Sequence, residues 1–215
     1  MRQLLCILLF AAALGARELY FPPNSDEWVT IDPRDLGWNE SALLPLQEFL
    51  AGENTKAFII LKDGRIAVEW YFDNFTEKTY WYWASAGKTI TAMLVGMAQE
   101  QGYLDINDAT STYLGDGWSD LPGDQEEQIT IWHQLTMTSG LDDGVEDNHC
   151  TLPECLQFKA APGERWAYHN APYTLLGDVL EAATGTEKNK YTRNQFSGIG
   201  MDGMWIPNDY NSVYW

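Results

Sequence analysis

Two apolar segments joined by a short polar turn predict a β-hairpin in the first half of the chain. Residues 58–61 and 66–72 are mostly apolar, and the segment between them contains Asp63-Gly64. An Asp-Gly pair favours the tight turn that joins two right-twisted antiparallel strands. We therefore expect two paired strands on either side of this turn.

Helical periodicity replaces the strand pattern from residue 85 onward. Apolar residues that recur at intervals of three and four, as on one buried helix face, are Ile90, Met93, Leu94, Met97 and Ala98. Gly102 is expected to end this helix. Shorter helices are predicted over residues 43–50, 108–114, 130–136 and 173–183, with Thr130 as a cap and Ser139-Gly140 as an end of the third.

Composition adds that the protein is globular and exported. The 215 residues are 45% hydrophobic and 20% charged, which favours one folded domain with a core. Residues 1–16 combine a basic start, an apolar centre and small residues, so we interpret them as a cleaved signal peptide of a secreted or periplasmic protein. The apolar part is too short for a stable membrane span.

The formal net charge of -18 disfavours nucleic acids and anionic membranes as partners.

Cys150 and Cys155 remain as an even pair once the signal peptide, with the third cysteine, is removed. In an exported protein such a pair predicts a small loop closed by a disulfide. The alternative is a metal site formed by His149 and both cysteines, but a fourth ligand at zinc-like spacing is missing. We expect the disulfide, and neither a metal nor another cofactor.

Two short segments, Ser85-Ala86-Gly87-Lys88 and Tyr168-His169-Asn170, carry candidate chemistry. Residues three apart share a helix face, so the Lys88 amine can approach the Ser85 hydroxyl. In an extended segment the first and third side chains point the same way, so Tyr168 and Asn170 can enter one cleft. A serine, a lysine and a tyrosine placed in this way can supply a nucleophile and its bases without a catalytic histidine.

The serine and lysine alone also allow a purely structural interpretation. A serine three residues before a lysine is expected about once by chance in a chain of this size. Ser85 then only caps the helix that follows, and Lys88 is solvated.

Four segments, taken in this order, resemble the class C beta-lactamase-related serine hydrolases, which include penicillin-binding DD-peptidases and esterases. The segments are residues 55–64, 84–88, 129–141 and 162–177. The resemblance implies an α/β fold of the beta-lactamase/transpeptidase type for residues 17–215. A mainly α region, residues 85–170, is inserted in an α/β region formed by residues 17–84 and 171–215, whose antiparallel sheet we expect to be incomplete in this chain.

The resemblance also implies roles for the site residues. Ser85 is acylated, Lys88 and Tyr168 share the proton transfer, and Asn170 contacts the amide of the substrate. A cation beside the phenol is expected to lower the pKa of Tyr168. Whether Lys88 or Tyr168 is the acylation base is left open by the sequence.

The family's third motif is a Lys or His followed two residues later by glycine, on a strand that supplies one N–H of the oxyanion hole. No such triplet follows Asn170. We therefore expect the chain to be C-terminally truncated and to have weak or no activity on its own, because one lost oxyanion donor costs roughly 10²–10³ in turnover.

The chain is rich in aromatic residues, with ten tryptophans and eleven tyrosines. Core burial is the expected role for most of them, including Trp118, Trp132 and Trp166. Trp83 and Trp166 are our weaker candidates for substrate contacts at the walls of the cleft.

Two further groups are interpreted as structural. Alternation turns His169 away from its neighbours Tyr168 and Asn170, so we expect it to make a structural hydrogen bond. The acidic residues between 142 and 147 are expected to be solvated and not to bind calcium, since their spacing lacks the recognised loop pattern.

Together these patterns predict a serine hydrolase that cleaves a small-molecule amide, ester or peptide through an acyl-enzyme on Ser85. The alternative is a catalytically incompetent truncated homologue that acts as an exported binding domain. The motifs do not choose among β-lactams, D-amino-acid peptides, esters and short amides.

Overall fold

The computed structural model describes residues 20–25 and 27–206, and the backbone of residues 212–214. The predicted signal peptide, residues 1–16, lies outside this range. The chain divides into two compact units, one within residues 1–77 and one within residues 78–215. In the described residues, no helix combines the length and the apolar character that crossing a membrane requires.

The first unit contains one helix and the predicted hairpin. Helix α1 (Leu43–Gly52) precedes the antiparallel strands β1 (Ala57–Lys62) and β2 (Arg65–Tyr71). Asp63 and Gly64 join the strands with φ angles of 52° and 78°, the left-handed conformations that a tight hairpin turn needs. The prediction of the hairpin and of its turn residues is confirmed.

The second unit is mainly helical and ends in a second strand pair. Its elements are α2 (Gly87–Glu100), α3 (Ser111–Leu114), α4 (Gly123–Glu126), α5 (Ile131–Leu135), α6 (Asn170–Thr174), α7 (Leu176–Thr184), α8 (Lys188–Phe196), β3 (Met204–Ile206) and β4 (Ser212–Tyr214). Leu94 and Val95 of α2 and Leu176 and Val179 of α7 have no exposed surface and form the centre of the main core. Their burial fixes the start of α2, where the candidate serine and lysine lie.

Helix α3 is shorter than the predicted helix over residues 108–114. The Thr110 N–H donates to the carbonyl of Ile129 at 2.8 Å, and the Ile131 N–H donates to the carbonyl of Asp108 at 3.2 Å. These bonds form an isolated antiparallel bridge between Ala109 and Thr130, so the helix begins only at residue 111.

Helix α5 has the predicted cap but a different end. The Thr130 hydroxyl accepts from the His133 N–H, and the Thr130 N–H reaches the His133 ring, which forms a capping box. Met137 adopts a left-handed conformation with φ 57°, and the helix has already ended at Leu135. The predicted end at Ser139-Gly140 is therefore wrong.

The helix predicted over residues 173–183 begins earlier and is divided. Helix α6 begins at Asn170, and Leu175 separates it from α7. The early start places the Asn170 side chain on the first turn of a helix whose next residues, Ala171 and Pro172, are buried.

Candidate active site

Ser85 lies in a tight turn that runs into α2. The turn is a 3-10 segment, Ala84–Ala86, and Ala84 has a left-handed φ of 48°. This conformation costs an L-residue other than glycine about 1–2 kcal/mol, so the turn that presents Ser85 is strained. The N-cap residue of α2 is Ala86. Ser85 therefore does not cap the helix, and the capping interpretation is wrong.

The four residues of the two motifs converge. The Tyr168 hydroxyl donates to the Ser85 Oγ at 2.7 Å. The Lys88 Nζ lies 3.4 Å from the same oxygen and donates to the Asn170 Oδ1 at 2.8 Å. Ser85, Lys88, Tyr168 and Asn170 thus form one hydrogen-bonded cluster, although more than eighty residues separate the motifs.

Lys88 lies between two aromatic rings. Its Nζ is 5.1 Å from the ring centre of Tyr168 and 5.7 Å from that of Tyr173. The Tyr173 hydroxyl also donates to the Lys88 carbonyl at 2.9 Å. A cation over aromatic faces is stabilised by the ring quadrupoles, so Lys88 is held in the cluster and is not simply solvated.

The two tyrosines next to Lys88 titrate in opposite directions. Partial burial opposes ionisation of Tyr168, but its hydrogen bond with Ser85 and the nearby Lys88 ammonium outweigh burial and lower the pKa of Tyr168. Burial raises the pKa of Tyr173, with a smaller contribution from the neighbouring Tyr168. Of these two phenols, Tyr168 is the one suited to lose its proton.

His169 turns away from the cluster, as the alternation predicts. Its backbone is extended, with φ -123° and ψ 117°, and its side chain is buried. Neither ring nitrogen has a hydrogen-bond partner among the described residues, so the predicted structural hydrogen bond is wrong. Burial lowers the pKa of His169, which keeps the ring neutral.

Two residues that the sequence did not identify as neighbours of the serine and lysine contact the cluster. The Asn170 Nδ2 donates to the Asn148 Oδ1 at 2.7 Å and lies 3.2 Å from the His149 Nε2. The Asn148 Nδ2 lies 3.4 Å from the Tyr168 carbonyl. No motif marks these positions, and the only signal near them is the cysteine that follows.

The loop after these residues is closed by a disulfide between Cys150 and Cys155, as predicted. Because both sulfurs are bonded to each other, neither is available as a thiolate ligand for the alternative metal site. Within the described part of the chain, no three His, Cys, Asp or Glu side chains are grouped so that they could hold a metal ion.

The four tryptophans discussed above differ in burial. Trp118 is buried, and Trp83 is half-buried against the main core. Trp132 is 50% exposed and Trp166 is 65% exposed, so the expectation of core burial is wrong for these two. The exposure of Trp166 leaves its ring accessible to a ligand.

The first two of the four acidic residues between positions 142 and 147 are paired with cations, in contrast to the predicted solvated run. Asp142 binds Lys159 at 2.5 Å, and Asp143 binds Arg165 at 2.6 Å. These ion pairs tie the loop that begins at Asp142 to the segment that leads to Tyr168.

Comparison with known proteins places this chain in a family. The family profile described as Beta-lactamase matches residues 47–212. Penicillin-binding protein 4* of Bacillus subtilis (strain 168) is 32% identical over 142 residues, which are 58% of this chain and 30% of that protein. The Beta-lactamase of Escherichia coli (strain K12) is 27% identical over 139 residues, which are 61% of this chain and 36% of that protein. The chain therefore spans about a third of the length of these curated relatives.

Solved structures share the fold. A Bacillus anthracis protein assigned as a 6-aminohexanoate-dimer hydrolase superposes with a TM-score of 0.66 over 91% of this chain and 61% of its own, at 17% identity. This likeness confirms the predicted beta-lactamase/transpeptidase-type α/β fold. Because the family profile covers most of the sequence, from residue 47 to residue 212, the chain belongs to the beta-lactamase family.

Proposed function

We propose that this protein is an exported serine hydrolase that cleaves a small amide, ester or peptide through an acyl-enzyme on Ser85. The observation that carries the proposal is the 2.7 Å hydrogen bond between the Tyr168 hydroxyl and the Ser85 Oγ, with the Lys88 ammonium beside both groups. A serine hydroxyl is a poor nucleophile at neutral pH, and these are the groups that can activate it.

Acylation begins with the transfer of the Ser85 proton to the Tyr168 phenolate. The Ser85 Oγ attacks the carbonyl carbon of the substrate, and a new C–O bond forms. The bond to the amine or alcohol then breaks, and the leaving group takes the proton from Tyr168. The shorter distance from Ser85 to Tyr168, 2.7 Å against 3.4 Å to Lys88, supports Tyr168 as the base. A base in this position contributes roughly 10²–10⁴-fold.

Lys88 and α2 supply positive potential at the reacting oxygen. Lys88 stabilises the phenolate form of Tyr168, in agreement with the lowered pKa of that residue. The N-terminal end of α2 follows Ser85 and favours the negative charge of the transition state by about 0.3–1 kcal/mol. Water then attacks the acyl-enzyme with the same base, which releases the acid and restores the Ser85 hydroxyl.

Asn170 supports an amide as the preferred substrate. Its Oδ1 has a second lone pair besides the one that accepts from Lys88, and the N–H that faces His149 can donate to a substrate instead. The side chain can therefore pair with both the N–H and the carbonyl of an amide bond. One relative is named for a lactam and another for penicillin binding, and a lactam is a cyclic amide. Trp83 and Trp166 stay our predicted contacts for the rest of the substrate.

Labelling with a fluorophosphonate tests the proposal. Labelling needs a single attack by Ser85 and no turnover, so we expect even a 215-residue chain with weak activity to gain the mass of one label, and Ser85→Ala to gain none. Ser111→Ala, which changes another serine at the start of a helix, is the matched control and should label like the wild type. Tyr168→Phe should label roughly 10²–10⁴-fold more slowly.

Two outcomes would overturn the proposal. A label that persists in Ser85→Ala would assign the nucleophile to another residue. A wild-type chain that gains no label but binds penicillin reversibly would favour the alternative, an exported binding domain without turnover.

A further inference from the structure

We infer that Asn148 is a positioning residue that sets the orientation of the Asn170 side-chain amide and, through it, holds the Lys88 ammonium beside Ser85. This inference rests on the proposed function, since it assigns how the nucleophile's neighbours are kept in place. Asn148 does not touch the Ser85 hydroxyl, so its effect on the chemistry is transmitted by Asn170 and Lys88.

Three hydrogen bonds form a row that links Lys88 to Tyr168 through Asn170 and Asn148. The Lys88 Nζ donates to the Asn170 Oδ1 at 2.8 Å, and the Asn170 Nδ2 donates to the Asn148 Oδ1 at 2.7 Å. The Asn148 Nδ2 in turn donates to the Tyr168 carbonyl at 3.4 Å. The row therefore starts at Lys88 and ends at the carbonyl of Tyr168, the residue whose hydroxyl contacts Ser85.

Both ends of this row have a fixed polarity. An ammonium can only donate hydrogen bonds, and a backbone carbonyl can only accept them. The two amides between them must then present their oxygens toward Lys88 and their nitrogens toward the Tyr168 carbonyl. The direction of the row thus follows from the chemistry of its ends and does not depend on how amide oxygen and nitrogen atoms are assigned.

Loss of the Asn148 oxygen removes one of the contacts that favour this orientation of Asn170 and leaves only those to Lys88 and His149. If the Asn170 amide turns over, its NH₂ group faces the Lys88 ammonium, and two donors oppose each other. Lys88 must then leave the Asn170 side chain, and its position relative to Ser85 and Tyr168 is no longer set. A displacement of about 1 Å can cost roughly 100-fold in rate when it affects the reacting groups.

Asn148 is itself held by the backbone. Its carbonyl accepts from the Ala171 N–H at 3.0 Å, directly after Asn170. The Cys150 N–H donates to the Asp147 carbonyl at 3.1 Å, and the disulfide from Cys150 to Cys155 closes the loop that follows. Asn148 is therefore a fixed point against which the Asn170 side chain can be oriented.

Substrate binding affects the contact of Asn170 with His149 but not its contact with Asn148. Asn170 has two N–H bonds, and the second one points to the His149 Nε2 at 3.2 Å. A substrate carbonyl that accepts from Asn170 displaces the longer contact, to His149, and leaves the 2.7 Å bond to Asn148 intact. Asn148 can therefore keep its positioning role while the substrate is bound.

Rates of Ser85 labelling by a fluorophosphonate test the inference. Asn148→Leu has a similar size but cannot accept a hydrogen bond, and we expect it to label roughly 10- to 100-fold more slowly than the wild type. Asn148→Asp retains the acceptor oxygen for Asn170 but loses the NH₂ group that donates to the Tyr168 carbonyl, so it should restore only part of the rate. Asn74→Leu, at an exposed asparagine, is the matched control and should label at the wild-type rate.

A double-mutant cycle separates positioning from a general loss of structure. If Asn148 acts through Asn170, adding Asn148→Leu to Asn170→Leu should leave the rate within about twofold of the single Asn170→Leu variant. An equal further loss in that background would show a merely structural role. A wild-type rate in Asn148→Leu would also overturn the inference.

Proton exchange of the Asn170 side-chain NH₂ gives a second measurement that needs neither activity nor a folded Asn148 variant. We expect slow exchange in the wild-type protein, with the signals identified by their loss in Asn170→Asp. Exchange as fast as that of the exposed Asn74 amide would refute the inference. If the wild type shows slow exchange but Ser85 takes no label, the positioning contacts stand and the proposed function fails.

Discussion

Replacement of Lys88 by methionine should raise the pKa of Tyr168. Methionine keeps an unbranched side chain of similar length but has no charge. The Lys88 Nζ lies 5.1 Å from the centre of the Tyr168 ring, and its positive charge favours the phenolate over the phenol. Burial of Tyr168 opposes its ionisation, and the charge of Lys88 offsets part of that effect. Without this charge the pKa of Tyr168 rises.

The size of the shift follows from Coulomb's law. With the delocalised phenolate charge placed at the ring centre, 5.1 Å from the Lys88 Nζ, two unit charges interact by about 0.8 kcal/mol in bulk water and about 3.3 kcal/mol at an effective dielectric constant of about 20. One pKa unit corresponds to about 1.4 kcal/mol, so these limits give about 0.6 and 2.4 units. The Tyr168 side chain is 42% exposed, and solvent screening therefore places the expected rise near the lower limit, at about one unit.

Ultraviolet absorption of tyrosinate can measure this rise. The chain has eleven tyrosines, so the contribution of Tyr168 must be isolated by difference. We propose titrating the wild type against Tyr168→Phe, and Lys88→Met against the double variant Lys88→Met/Tyr168→Phe. Lys190→Met, which removes an exposed lysine of α8, is the matched control.

The reasoning predicts that the Tyr168 difference titration moves to higher pH in Lys88→Met and stays in place in Lys190→Met. The acid limb of Ser85 labelling should move in the same direction, because the phenolate is the active form. An unchanged Tyr168 titration in Lys88→Met would refute the electrostatic role of Lys88.

Three further predictions concern stability. Ala84→Gly should raise the free energy of unfolding by about 0.5–1 kcal/mol in chemical denaturation, because relief of left-handed strain exceeds the entropy cost of glycine; a destabilised variant would contradict the strained turn. Burial lowers the pKa of folded His169 below its unfolded value, so its contribution to stability is full above the unfolded pKa of about 6.5 and is lost as the pH falls below it. His169→Gln should make the free energy of unfolding less dependent on pH in this range. An unchanged pH profile in this variant would contradict the role of His169. Replacing Cys150 and Cys155 with serine should lower the free energy of unfolding by about 2 kcal/mol. It should also slow Ser85 labelling, because Asn148 lies beside this loop. Unchanged stability and labelling would show that the disulfide does not hold the loop in place.

The sequence predicts the elements that local patterns define. The hairpin at Asp63-Gly64 and helix α2 each carry a complete local signal, a turn dipeptide in one and an apolar stripe in the other. Helix α8 has no such stripe, because its buried residues include Lys188 and Thr192 besides Tyr191 and Phe196. A helix that buries polar side chains gives no apolar periodicity from which it could be predicted.

The candidate site divides in the same way. Ser85 and Lys88 are one helical turn apart, so their proximity follows from the spacing alone. The contact between Asn148 and Asn170 joins positions 22 residues apart and depends on how the disulfide loop folds back. The strain at Ala84 could not be predicted from the sequence either, since a residue in the left-handed conformation is usually glycine or asparagine and not alanine.

The most direct test of the central claim is the trapping of an acyl-enzyme formed from an ester substrate. The 215-residue chain would be mixed with p-nitrophenyl acetate, quenched with acid, and examined by intact mass and peptide mapping. The account predicts one acetyl group on Ser85, which is absent in Ser85→Ala and forms more slowly in Lys88→Met and Tyr168→Phe. A chain that releases nitrophenol without acetyl on Ser85, or that acetylates equally in Ser85→Ala, would contradict it.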